Sequence, residues 1–224
     1  MCGVIGIINS ESNEFNHEVI LSSIHHRGKQ KSSFISFSNN FLGHTLLKTT
    51  DASSSNSLQP MISKNTGNII VFNGEILNYK ELKKLSCFNN TTFNSNTDTE
   101  VILYLYEIYG KSFLSYLEGD FAIILYDKSL NEFLIFRDRL GNKPLFYINY
   151  KNTLYVSSEI KALLSVLPKQ YTKKINFSHL SNYLIDRNLP VYNESFFQGI
   201  FSFKPSHLYS VDTNGDFKNI KKYW

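Results

Sequence analysis

Four short apolar runs, at residues 121–126, 133–137, 145–150 and 154–156, constrain the fold more than any other feature of the chain. The breaks between them hold turn-forming residues: 127–131, Gly141-Asn142 and Lys151-Asn152. Strands joined this closely pair as antiparallel hairpins, because a parallel pair needs a crossover of a dozen or more residues. The same pattern recurs elsewhere. Residues 4–8 read as a strand buried on both faces, 34–37 and 41–47 as a hairpin about Asn39-Asn40, and 208–211 with 217–224 as a last hairpin about Asn214-Gly215. A strand at 68–72 delivers Asn73-Gly74-Glu75 at its end.

Helices are expected at residues 17–26, 78–85, 98–109, 159–167 and 177–187, with Thr97 and Glu100 forming a capping box at the start of the third. Residues 51–58 and 88–97 read as surface loops. Antiparallel strands with fully apolar centres, and helices grouped between them, predict an α+β architecture whose sheets are covered on both sides.

A chain of 224 residues with no Pro/Gly-rich linker predicts one domain. Its net charge of +4, with 23 basic and 19 acidic residues mixed along the chain, lacks the concentrated basic face of a nucleic-acid binder. No apolar run is long enough to cross a bilayer and no secretory signal is visible, so a cytoplasmic protein with no membrane partner is expected. Two cysteines make no disulfide framework, and neither a Cys-x-x-Cys nor a His-Glu-x-x-His pattern is present. No metal or cofactor is expected. Gly110-Lys111-Ser112 resembles the end of a phosphate loop, but the earlier glycine it would need is Leu105, so a helix C-cap is the better reading.

Cys2 is the chemical feature. Loss of Met1 would make it the first residue, giving one residue both a thiol nucleophile and an α-amine whose ordinary pKa is roughly 7.7 to 8.0. Nucleophile and base would then share one residue, the arrangement that covalent catalysis uses.

With these features in view, the chain resembles the class II glutamine amidotransferases, most closely the N-terminal glutaminase domain of asparagine synthetases. The resemblance runs through Met-Cys-Gly-Val-Ile-Gly-Ile (1–7), His-His-Arg-Gly (25–28), Leu-Gly-His (42–44), Gln-Pro-Met (59–61) and Phe-Asn-Gly-Glu-Ile (72–76). It continues through Asp-Thr-Glu-Val-Ile-Leu (98–103), Glu-Gly-Asp-Phe-Ala (118–122), Arg-Asp-Arg-Leu-Gly-Asn-Lys-Pro-Leu-Phe-Tyr (137–147) and Ser-Ser-Glu-Ile-Lys-Ala-Leu (157–163), in the family's order.

The resemblance implies a four-layer αββα N-terminal-nucleophile hydrolase fold. It also implies glutamine hydrolysis through a Cys2 thioester, with ammonia passed to an ATP-dependent synthetase domain or subunit, as in asparagine biosynthesis. Asn73 and Gly74 match the family's oxyanion hole, Asp98 and Glu75 its recognition of the α-ammonium, and Arg27 a residue that orders the site. Residues 137–147 match a structural hairpin. Residues 1–224 would be one amidotransferase domain, with 205–224 an extension toward the synthetase domain of the resembling proteins. The oligomeric state is left open, a homodimer included.

Two departures bear on substrate. Leu46 stands where the family has the arginine that clamps the carboxylate of glutamine, and Lys48, on the same strand face, is the candidate replacement. Arg27-Gly28-Lys29-Gln30 replaces the family's Arg-Gly-Pro-Asp. Two alternatives therefore stand beside the glutaminase: an amidase for an amide lacking that carboxylate, and a binding or regulatory module that keeps only the fold.

Overall fold

The structure, a computed structural model, describes residues 1–11, 15–47, 58–89, 91–187 and 193–224. The expected strands form two six-stranded antiparallel sheets among the described residues. The first contains β1 (Gly3–Ile8), β2 (Lys31–Phe37), β3 (Asn40–Leu46), β8 (Phe146–Tyr150), β9 (Thr153–Ser157) and β10 (Phe201–Ser202), in the order β10-β8-β9-β1-β3-β2. The second contains β4 (Met61–Ile62), β5 (Ile69–Ile76), β6 (Gly119–Asp127), β7 (Glu132–Arg137), β11 (His207–Asp212) and β12 (Phe217–Lys222), in the order β12-β11-β7-β6-β5-β4. β6-β7 and β8-β9 pair as hairpins, as the spacing of turn residues predicts, but the expected β7-β8 hairpin does not form: β7 is flanked by β6 and β11, and the chain crosses from the second sheet to the first before β8.

Strand alternation sorts the side chains into layers. Val4, Ile8, Leu42 and Val156 of the first sheet meet Val71, Ile124, Ile135 and Val211 of the second in one dry cluster between the sheets. Ile5, Ile7 and Phe41 point the other way, onto α1 (His17–Ser22) and α4 (Ile160–Val166) through Ile20, Ala162 and Leu163. On the far side Ile70, Phe72, Ile123 and Phe136 pack against Val101, Ile102 and Leu105 of α3 (Asp98–Tyr109) and Leu82 of α2 (Tyr79–Leu82). The result is the α+β sandwich of two facing sheets between helices. No helix among the described residues is long and apolar enough to cross a membrane.

Local departures have identifiable causes. The helix expected at 17–26 stops at Ser22 and resumes as a short 3-10 turn, His25–Arg27, whose end meets the β3 backbone. A Cβ at Gly28 would lie 2.4 Å from the Thr45 carbonyl oxygen, so only glycine fits there. The capping box is not formed: Thr97 is the N-cap of α3 but its side chain caps nothing. Glu100 instead turns to the preceding loop, accepting from the amides of Asn94 and Ser95 and from the Ser95 hydroxyl. That loop is partly buried in consequence, with Phe88, Ser95 and Thr97 inside. Most of the expected loop at 51–58 lies outside the described residues.

Residues 137–147, expected as a hairpin, instead connect β7 of the second sheet to β8 of the first, and Arg137 and Asp138 hold this crossing. Arg137 donates to the carbonyls of Gly141, Lys143 and Phe203, while Asp138 accepts from the amides of Phe121, Leu140, Asn142 and Lys143. Gly110 is the C-cap of α3, with φ 54°. The last α-helix, α5 (Phe177–Asp186), is capped by the Asn176 side chain.

Candidate active site

Asn73-Gly74 is ordinarily a hairpin turn, yet here it is strand. β5 runs on to Ile76 because Asn73, Gly74 and Glu75 pair in register with Ala122, Phe121 and Asp120 of β6. Gly74 permits this: a Cβ there would stand 2.2 Å from the Asp120 carbonyl oxygen. Asn73 shares its strand face with Ile69 and Val71, so its side chain faces the space between the sheets.

On the opposite sheet, Cys2 immediately precedes β1 and shares the inward parity of Val4. Gly3 pairs with Thr45, and continuing that register sets Cys2 opposite Leu46, which is buried and also faces inward. The Cys2 Sγ lies 3.4 Å from the Leu47 amide nitrogen, which donates to it. Behind it, Arg27 Nε donates to the Cys2 carbonyl at 2.9 Å and Arg27 Nη1 to Glu159 Oε1 at 3.0 Å. Glu159 also pairs with His26 at 2.7 Å, so the cysteine backbone is anchored through a chain of charged groups. A groove of about 520 Å³ opens beside it, lined by Met1, His26, Arg27, Lys29, Gln30, Leu47 and Glu159.

The electrostatics are uneven. Burial pushes the Cys2 thiol up and the charge of Asp98 adds to it; the Leu47 amide, the terminal ammonium and Arg27 act the other way. Met1 is joined to Cys2 here, so the nitrogen beside this thiol is a peptide N–H. Asp98, at the start of α3, is 5% exposed and accepts from the Ile76 amide at 3.1 Å. Burial raises its pKa to about 6 despite hydrogen bonds from Ile76 and Thr99, and nearby Glu75 raises it further.

The Asn73 side chain is 1% exposed, and its Nδ2 has no hydrogen-bond partner among the described residues. A buried amide donor without a partner costs roughly 1–3 kcal/mol. It is a donor aimed at the inter-sheet space and committed to nothing. His44, on the same face of β3 as Leu46, is also buried with neither ring nitrogen bonded, and burial holds its pKa near 4, so it is neutral. The nearby Phe72 backbone acts weakly in the opposite direction.

The residues singled out in the sequence thus fall into three groups. Arg27 bonds the Cys2 backbone, Asp98 lies near enough to act on the Cys2 thiol, and Asn73 and Gly74 lie in β5 just before the Ile76 amide that Asp98 binds. Glu75 is exposed at its mouth, opposite Asp120. Lys48 lies outside the described residues. The sequence alone did not single out the Leu47 amide, Glu159 or Gln59, whose partners are distant in the chain.

The sequence profile of the family described as "Glutamine amidotransferase domain" matches residues 1–224. The chain is 32% identical to asparagine synthetase [glutamine-hydrolyzing] 2 of Bacillus subtilis (strain 168), over 100% of the chain but 30% of that protein. It is also 32% identical to amidase chry2 of Gibberella zeae, over 82% of the chain and 26% of that protein. The chain therefore spans about a third or less of the length of these relatives. Among solved structures, glutamine phosphoribosylpyrophosphate amidotransferase of B. subtilis shares the fold, with a TM-score of 0.71 at 18% identity, over 100% of this chain and 49% of that one. A profile match across the whole chain, together with relatives of this kind over its full length, places this protein in the class II glutamine amidotransferase family.

Proposed function

We propose that this domain hydrolyses the side-chain amide of glutamine and hands the ammonia to an ATP-dependent synthetase domain or subunit. After removal of Met1, the α-amine of Cys2 takes the thiol proton as Sγ bonds to the amide carbon. The carbonyl oxygen becomes an oxyanion held by Asn73 Nδ2 and the Gly74 amide. Collapse of this intermediate breaks the C–N bond, the α-ammonium returns its proton to the leaving nitrogen, and ammonia departs. Water then cleaves the thioester to glutamate and restores the thiol. Asp98, with Glu75, receives the α-ammonium of glutamine, and Lys48 is the proposed cation for its carboxylate. Arg27 holds the Cys2 backbone.

The observation that carries this reading is the buried, unpartnered Asn73 Nδ2. A fold gains nothing from such a donor unless a substrate oxygen completes it. The relatives named as glutamine-hydrolysing asparagine synthetases support a synthetase as ammonia acceptor.

The test is release of ammonia and glutamate from glutamine by protein whose intact mass shows Met1 removed, beside Cys2→Ala. Stoichiometric release by the first and none by the second is expected; no release by the processed wild type sinks the glutaminase. Leu46, neutral and buried where a carboxylate clamp would stand, favours as second reading an amidase for an amide without that carboxylate. Turnover of such an amide, but not of glutamine, would establish it.

A further inference from the structure

Gln59 is 5% exposed and spends every polar group of its side chain inside the protein. Its Oε1 accepts from the Phe72 amide at 2.5 Å, and its Nε2 donates to Thr99 Oγ1 at 3.1 Å. Its carbonyl oxygen accepts from the Ser33 hydroxyl on β2. Phe72 immediately precedes Asn73, and Thr99 immediately follows Asp98. A second bridge, from the Ile76 amide to the Asp98 carboxylate, joins the same two elements four residues further along β5. The segment 73–75 is therefore bracketed: Gln59 fixes its near end to the first turn of α3, and Asp98 fixes its far end.

We infer that Gln59 is the positioning residue that sets the Asn73 donor and the Asp98 carboxylate at a fixed separation, so that one bound substrate can reach both. This rests on the glutaminase reading above. One amide side chain suits the task because it offers an acceptor to a backbone N–H and a donor to a hydroxyl at the same time. An apolar side chain of similar length fills the space and offers neither. Neither bond touches substrate, and Gln59 acts only through its neighbours.

Two variants test this, Gln59→Met and Thr99→Val, together with the double variant. In protein with Met1 removed, each single variant should lower kcat on glutamine and raise KM, for a combined loss in kcat/KM of about 10- to 100-fold. Both parameters move because the oxyanion donor and the ammonium site shift against each other. The double variant should lose no more than about twofold beyond the worse single one, as residues acting through one bond do. Cys2 alkylation by iodoacetamide, which needs neither donor, should stay within about twofold of wild type and shows that the variants are folded. Amide hydrogen exchange at residues 72–76 should accelerate in each.

A folded Gln59→Met whose kcat and KM both match wild type overturns the inference, as does a loss of thermal stability with unchanged kinetics. A wild type that releases no ammonia while residues 72–76 are protected from exchange instead sinks the glutaminase reading. The two failures are thus told apart.

Discussion

Arg27 donates from Nε to the carbonyl oxygen of Cys2 at 2.9 Å, and the same guanidinium donates to Glu159. A planar fork serves both acceptors at once; a lysine ammonium in that place is a single point and cannot. Arg27→Lys should retain charge and lose alignment. We expect kcat/KM on glutamine to fall by ~10-fold and stability to drop by about 1–2 kcal/mol. Steady-state kinetics beside thermal melts check this, and an unaltered kcat/KM would show that the carbonyl anchor is dispensable.

Asn73→Ala removes the uncommitted donor and nothing that the resting fold uses. Loss of one oxyanion donor typically costs kcat about 10²- to 10³-fold, and KM should stay near wild type. Stability should hold or rise slightly, because a buried unpaired group is gone. Gly74→Ala should behave differently, since its new Cβ would collide with the Asp120 carbonyl oxygen, and overpacking of that kind costs roughly 1–3 kcal/mol. Opposite signs in the melting shifts of the two variants are the diagnostic result; a destabilised Asn73→Ala would mean that Asn73 is structural.

Asp98 binds its proton more tightly folded, with a pKa of about 6, than the ordinary value of 3.8. Ionising it in place therefore opposes folding, by about 3 kcal/mol once the pH is above 6. Asp98→Asn should stabilise the fold in that range, and the gain should vanish as pH falls from 6 toward 3.8. An α-ammonium needs the ionised form, so kcat/KM of the wild type should decline as pH drops through about 6, and the variant should lose that limb along with most of its affinity. Urea melts at several pH values and a pH–rate profile separate the two effects. A wild-type profile with no limb near pH 6 would count against Asp98 as the ammonium site.

Leu46→Arg restores a guanidinium at the inward position opposite Cys2. If the carboxylate of glutamine comes to this face, KM for glutamine should fall by ~10-fold or more, as a charge-assisted pair allows. Lys48→Ala, in the native background, should raise it. Unchanged KM in both variants would move the preference toward amides without a carboxylate.

The layers of the sandwich were legible because strand alternation and two-residue turns are written in neighbouring residues. Within residues 121–157 the β6-β7 and β8-β9 hairpins fell within a residue or two of their observed ends, whereas the expected pairing of β7 with β8 gave way to pairing of β7 with β11, a partner distant in the chain that nothing local announces. Asn73-Gly74 misled for a physical reason: the pair has a strong local turn preference, overridden by eight residues of pairing with β6. The sequence placed the dipeptide at the end of a strand at 68–72, and the structure carries that strand through it to Ile76. Glu100 failed as a capping residue because the loop at 94–95 offered it four donors where the N-cap offered one. Gln59 was visible only as part of Gln-Pro-Met, since its partners lie 13 and 40 residues away and nothing local announces them.

Because Asn73 sits within a fully laddered strand, its orientation is settled when the sheet zips together. Heat should therefore extinguish turnover and the far-ultraviolet signal of the β-structure at the same temperature, leaving no window in which a well-folded barrier of strands surrounds an inert thiol.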